Sequence, residues 1–154
     1  MIATSCLLIE SLQTFYDGNK NTKAETTWNG KLITKGSGAA FIRFFNEQSR
    51  FFPELRTYFP ISFAANGKDE CAFYRHVRCG ILHQAETTGR YCIALDDSVM
   101  FSHKTVNARK FMNAVDNCAL NYLDALKGSA ITSDLWGAAA EKIRHICNNF
   151  EGLP

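Results

Sequence analysis

Within ten residues, 75–84, the chain places Arg75, His76, Arg78, Gly80, His83 and Gln84, its densest group of side chains able to do chemistry. Arginine presents a rigid fork of N–H donors that fits a phosphate. Histidine accepts and returns a proton near neutral pH. Together they suit cleavage of a phosphodiester in which a ribose 2′-hydroxyl is the nucleophile. One group must take the hydroxyl proton while another holds the charge that builds on the phosphorus oxygens. A plainer reading stands beside this one. Arg75 and Arg78 pair with Asp69, Glu70 or Glu86 on a surface, and His83 sits at a helix end favoured by the dipole. The Arg78–His83 spacing does not decide between them, because a chain with this many arginines and histidines meets such a pair by chance about 0.6 times.

The elements that must carry these groups follow from apolar periodicity. Residues 2–17 read as a helix, with Ile2, Cys6, Ile9, Leu12 and Tyr16 at helical spacing and Gly18 free to end it in the left-handed conformation. Asn29-Gly30 between Thr26-Thr27-Trp28 and Lys31-Leu32-Ile33 predicts a small hairpin. Ser37 offers a cap for an aromatic-rich helix from Ala39 to Phe52, which Pro53 breaks. Residues 54–65 read as a short helical turn and loop. A turn over 66–68 and a cap at Asp69 predict a third helix from Glu70 to about His83, which would carry the whole cluster. Gly80 within it weakens the helix but lets another backbone approach closely. A second hairpin is expected over 91–101, turning at Asp96-Asp97. Asn107 or Thr105 caps a long helix to about Leu126, ended by Gly128, and Ser133 caps a last one from Asp134 to Asn149. The expectation is an all-α fold in the main, a bundle of about five helices with one or two small β-hairpins, in a single domain over 1–154.

On such a helix, five residues turn through about 500°, which leaves the Arg78 and His83 side chains about 140° apart. They converge in one copy of the chain only if the helix bends or ends near Gly80–His83. Otherwise a symmetric partner has to complete the site.

Composition narrows the class. The chain has 154 residues, 46% of them hydrophobic and 21% charged, with a net charge of +2. That is globular and far from the strongly basic balance of a histone-like protein, so a local phosphate site is allowed but no broad electrostatic footprint is indicated. No apolar run is long enough to cross a membrane. The first sixteen residues lack a basic leader, and Glu10 interrupts their apolar stretch, so a cytoplasmic location is expected. Six scattered cysteines form no Cys-x-x-Cys pair, which points to reduced core thiols rather than disulfides or zinc.

The segment Phe73-Tyr74-Arg75-His76-Val77-Arg78-Cys79-Gly80-Ile81-Leu82-His83-Gln84 resembles the signature helix of HEPN-like proteins, in which an Arg, four to six residues and a His mark the active site. Phe15-Tyr16-Asp17-Gly18, closing the first helix, is similar to stand-alone bacterial members. The resemblance implies a helical bundle. It also implies a metal-independent endoribonuclease without cofactor, working as a homodimer whose two subunits face one composite cleft, in toxin–antitoxin, abortive-infection or anti-phage systems. Arg78 would then stabilise the scissile phosphate and His83 would move a proton or position the phosphate. Arg75, His76 and Gln84 would contact substrate. The products would be a 2′,3′-cyclic phosphate and a 5′-hydroxyl. The implied partners are RNA, a second copy and an antitoxin or defence-system protein, with no membrane.

Two other classes remain open at this point. A HEPN-like bundle with a weak or lost site would bind RNA, a nucleotide or a protein partner without cutting. A purely structural helical subunit would use none of the cluster. The aromatic run from Phe41 to Phe52 is a core face by its helical spacing, against a base-stacking platform as the alternative. His103 and His145 read as ordinary caps or surface groups.

Overall fold

A computed structural model of the chain describes residues 1–22, 26–28, 31–33, 36–62, 70–96 and 99–151. Helix α1 spans Ile2–Asp17 and ends on Gly18, whose φ of 66° is the left-handed conformation its lack of a Cβ allows. Strands β1 (Thr26–Trp28) and β2 (Lys31–Ile33) pair antiparallel with Trp28 opposite Lys31, the register of a two-residue connection. The Asn29-Gly30 turn itself lies outside the described residues.

Helix α2 runs from Ser37 to Glu47, and a separate 3₁₀ turn follows at Ser49–Phe51, so the expected helix from Ala39 to Phe52 is shorter and starts earlier. Gly36, not Ser37, holds the cap position. Seven consecutive residues of α2, Ala39 to Phe45, are buried. A helix buried on every side is the centre of a fold and not a face of it, and α1 and residues 70–78 pack around this one. The one charge in that run, Arg43, is paired with Asp17 at the end of α1, both nearly buried.

Around α2 the aromatic rings interlock. Phe41, Phe45, Phe52, Phe73 and Phe111 contact one another, with Phe41–Phe73 and Phe73–Phe111 stacked at centroid separations of 6.2 and 4.7 Å. Phe41, Phe44 and Phe45 are at most 1% exposed, so the run that might have stacked bases is core.

Helix α3 is one turn, Leu55–Tyr58. Strands β3 (Ile61–Ser62) and β4 (Glu70–Cys71) then pair antiparallel, an element the sequence reading placed partly in a loop and partly in the third helix. That third helix therefore begins later than expected. It opens as a π-helical run, Phe73–Arg78, and continues as α4, Cys79–Gln84. Asp69, its expected cap, lies outside the described residues.

The second expected hairpin is replaced by a three-stranded sheet. Strand β5 (Cys92–Ala94) pairs parallel with β7 (Thr105–Asn107), and β6 (Phe101–Ser102) pairs antiparallel on the other side of β7. The tight reversal is at His103-Lys104, between β6 and β7, and β5 is not paired with β6; Asp97 lies outside the described residues. Alternation in residues 91–95 marked the strand correctly, but two-residue periodicity says nothing about which strand will be the neighbour.

Asn107 ends β7 and caps the long helix α5 (Ala108–Gly128). Its side-chain oxygen accepts from the Lys110 N–H at 3.0 Å while its amide donates to Asp96. Gly128 is the last residue of that helix. Helix α6 spans Asp134–Glu151, with the Ser133 hydroxyl accepting from the Trp136 N–H. No described helix is long and apolar enough to cross a membrane. The protein is thus mainly helical, with three small sheets among the described residues.

Candidate functional site

The cluster begins where the chain is wound most loosely. In the π-helical run the Cys79 N–H bonds to the carbonyl of Tyr74, five residues back. Such wide turns are rare and costly, and they persist where packing over-determines them. Here Phe73 and Val77, both fully buried, face the aromatic core. Tyr74 lies against Gly38, where an added Cβ would come within 3.3 Å of its ring.

Arg78 closes the run and faces inward. Its Nε–H donates to Oε1 of Glu10 on α1 at 2.7 Å, and its guanidinium lies 5.3 Å from the centre of the Tyr74 ring. Both members of the ion pair are largely shielded, 14% and 17% exposed. Burial works against the charged guanidinium, but the Glu10 carboxylate outweighs it and the pKa of Arg78 is raised. The second Glu10 oxygen accepts from the Ser37 hydroxyl at 3.5 Å, and that hydroxyl shares a hydrogen bond with Thr22. Burial also pushes the Tyr74 phenol up, so the ring beside Arg78 is neutral. Of the five donors of the guanidinium, Glu10 takes the one on Nε, and the Cys79 side chain also hydrogen-bonds to Arg78.

His83 is elsewhere. It lies in the last turn of α4 and is exposed, as are Gln84 and Arg75. The helix reverses only after it, at Ala85 with φ 58°. Between Arg78 and His83 the backbone is α-helical, so the angular separation of about 140° holds. The structure does not bring the two together in one copy of the chain. Arg75 pairs with Glu70 at 3.2 Å in an open surface contact, as the plainer reading had it. The partner of Arg78 is Glu10, 68 residues away; Asp69 lies outside the described residues.

His76 serves as a lock. Its Nδ1 shares a hydrogen bond with the Thr88 hydroxyl at 3.0 Å, and its backbone carbonyl accepts from the Thr88 N–H at 2.9 Å. Its ring stacks on Tyr91 at 5.0 Å. Burial, then the neighbouring Arg75 and Lys104, lower its pKa. The loop it holds, residues 86–88, runs directly over Gly80. A Cβ at Gly80 would press into the Glu86 carbonyl and lie 3.2 Å from both the Thr87 Cα and the Thr88 nitrogen. The close backbone approach expected at Gly80 is therefore real, but the backbone is the chain's own. His103 sits in the β6–β7 turn beside Tyr58, and His145 makes a half-buried pair with Glu141.

The residues the sequence reading missed are Glu10, Tyr74 and Ser37. Glu10 did carry a signal, since it breaks the apolar face of α1 on the flank of Cys6 and Ile9. The six cysteines are free thiols. Cys6, Cys71 and Cys118 are buried, and burial pushes them up to about 12, 11 and 12. Among the described residues no group of three or more His, Cys, Asp or Glu side chains comes together as metal ligands would. No protein-family model, curated protein or solved structure matches this chain.

Proposed function

We propose that the protein is a HEPN-like, RNA-directed module that cleaves RNA as a dimer, with Arg78 of one copy and His83 of the other at a shared cleft. The observation that supports this reading is the setting of Arg78. A guanidinium shielded on a neutral aromatic ring and tethered through Nε by Glu10 is pre-organised to stabilise charge on a phosphate. In the reaction, the ribose 2′-oxygen attacks phosphorus, its proton passes to a base, and the 5′-oxygen leaves with a proton. The ends are a 2′,3′-cyclic phosphate and a 5′-hydroxyl. His83, exposed at the end of α4, is the group available for proton transfer, and Arg78 holds the developing charge. The exposed Arg75 and Gln84 contact flanking phosphate or sugar. His76 keeps loop 86–88 in place and contributes to the site through that loop.

One observation favours a second reading. Arg78 and His83 diverge within a copy, so a chain that stays monomeric would bind a phosphate or RNA without cutting it. Incubation of total RNA and tRNA with the purified protein in EDTA separates the two. Cutting that leaves 2′,3′-cyclic ends and disappears in Arg78→Lys and His83→Ala supports the nuclease. Folded wild type that binds RNA but does not cut it supports the binding module. Arg78→Lys is the informative variant, because Arg78→Ala would also strip Glu10 of its cation and destabilise the fold by about 1–3 kcal/mol. His83→Ala, at an exposed position, should stay within about 0.5 kcal/mol of wild type.

A further inference from the structure

We propose that the outer edge of strand β5 is a docking surface for a second copy of this chain, paired antiparallel about Ala94. In the three-stranded sheet, β5 is an edge, with β7 on one side and no described strand on the other. The Cys92 N–H donates to the Lys104 carbonyl at 2.8 Å. In a parallel ladder this turns the backbone groups of Cys92 and Ala94 toward β7 and those of Ile93 outward, and Leu95 continues the alternation. The outward positions are also the apolar ones. Ile93 is 42% and Leu95 57% exposed, on one face of the strand. An edge of this kind, apolar and with unclaimed backbone groups, is what folded proteins ordinarily blunt with a charge, a proline or a bulge. Residues 92–95 contain none of these.

The choice of a second copy follows from the ends of the strand. Arg90 precedes it and Asp96 follows it, both exposed. Antiparallel pairing brings the cationic end of one strand to the anionic end of the other, whereas parallel pairing would oppose like charges. With the two-fold axis at Ala94, Ile93 of each copy lies opposite Leu95 of the other in a hydrogen-bonded pair. In this register Arg90 of one copy and Asp96 of the other are diagonal neighbours, two residues out of direct opposition and within reach of the long arginine side chain, so the strand is complementary to itself in backbone and apolar surface, with opposite charges at its two ends. This pairing does not rest on the ribonuclease reading, since its test measures association and not cleavage.

The test uses the full chain. Light scattering across the micromolar range should show a dimer, and Ile93→Lys should weaken it by about ten-fold or more while leaving the circular dichroism spectrum unchanged. Register is read by Ala94→Cys in a Cys92→Ser/Cys147→Ser background. At the axis, non-hydrogen-bonded partners lie about 4.5 Å apart at Cα, within disulfide reach. Oxidation should then cross-link Ala94→Cys and leave Ala140→Cys, exposed on α6, as monomer. A chain that is monomeric throughout overturns the proposal, even if an added extended peptide protects the β5 amides. So does a dimer that ignores Ile93→Lys, or equal cross-linking at both positions.

Discussion

Replacing Gly80 by alanine tests the packing of the 86–88 loop over the cluster helix. In an open helix this change is favourable by about 1 kcal/mol, because glycine gives up more backbone entropy. At Gly80 the new methyl meets backbone: the Glu86 carbonyl well inside 3.0 Å, and Thr87 Cα and Thr88 N at 3.2 Å. Backbone yields less readily than a side-chain tip, and such overpacking costs about 1–3 kcal/mol. The displaced loop also strains the two Thr88–His76 hydrogen bonds, each worth about 1 kcal/mol. The net expectation is a loss of about 2–4 kcal/mol, or a fall in Tm of at least about 4 °C for a chain of this length. Urea unfolding followed by circular dichroism measures it. Gly137→Ala is the control, since nothing lies within 4 Å of its new methyl, and it should stabilise by up to about 1 kcal/mol. If Gly80→Ala unfolds at the same or higher urea concentration than wild type, the loop does not bear on Gly80 and the account of this segment is wrong.

Two further outcomes follow from buried charge. Asp17→Asn should cost about 3 kcal/mol or more by leaving Arg43 nearly buried without its carboxylate, and Asp17→Asn/Arg43→Met should recover most of that loss, both read by chemical denaturation. His76 has a folded pKa below its ordinary 6.5, so the unfolded chain takes up its proton first as pH falls. Burial first, then Arg75 and Lys104, depress it, and the surface carboxylate of Glu70 opposes them only in part. Its contribution is present in full above about pH 6.5 and is lost below it. Thermal melts at pH 7.5 and pH 5.5 should differ less for His76→Gln than for wild type, and an unchanged difference would remove His76 from the lock.

Much of the helical frame was legible from apolar spacing. Helix α1 and its Gly18 stop, the Asn107 cap and the Ser133 cap follow from local chemistry that acts within a few residues. What was hidden is what depends on distant partners. Nothing local shows that Glu70–Cys71 leaves the helix to pair with Ile61–Ser62, or that Cys92–Ala94 chooses Thr105–Asn107 as a parallel neighbour. The π-helical winding of Phe73–Arg78 likewise answers to the aromatic core and not to its own residues. At the site, Gly80 was read correctly as a point of close approach, while the approaching strand of chain was unforeseeable. Arg78 was singled out by its type and by the resemblance of the segment around it, but its partner Glu10 lies on another helix, and only the fold joins them.

Helix α6 is attached differently from the rest. Across its eighteen residues, Ala139 is the one described side chain that is fully buried. Its moorings include Leu135 packed against the core, the Trp136 indole on the Leu126 carbonyl, Ala138 against Gly18, and Lys142 on the Lys20 carbonyl. Regions with so little buried apolar area open on their own, well below the free energy of global unfolding. The last helix is thus expected to open as a separate cooperative unit, and hydrogen exchange should show its amides exchanging by local release while the α2 core stays closed. Trp136 leaves its carbonyl partner in the same event, which makes its fluorescence a reporter of undocking distinct from unfolding.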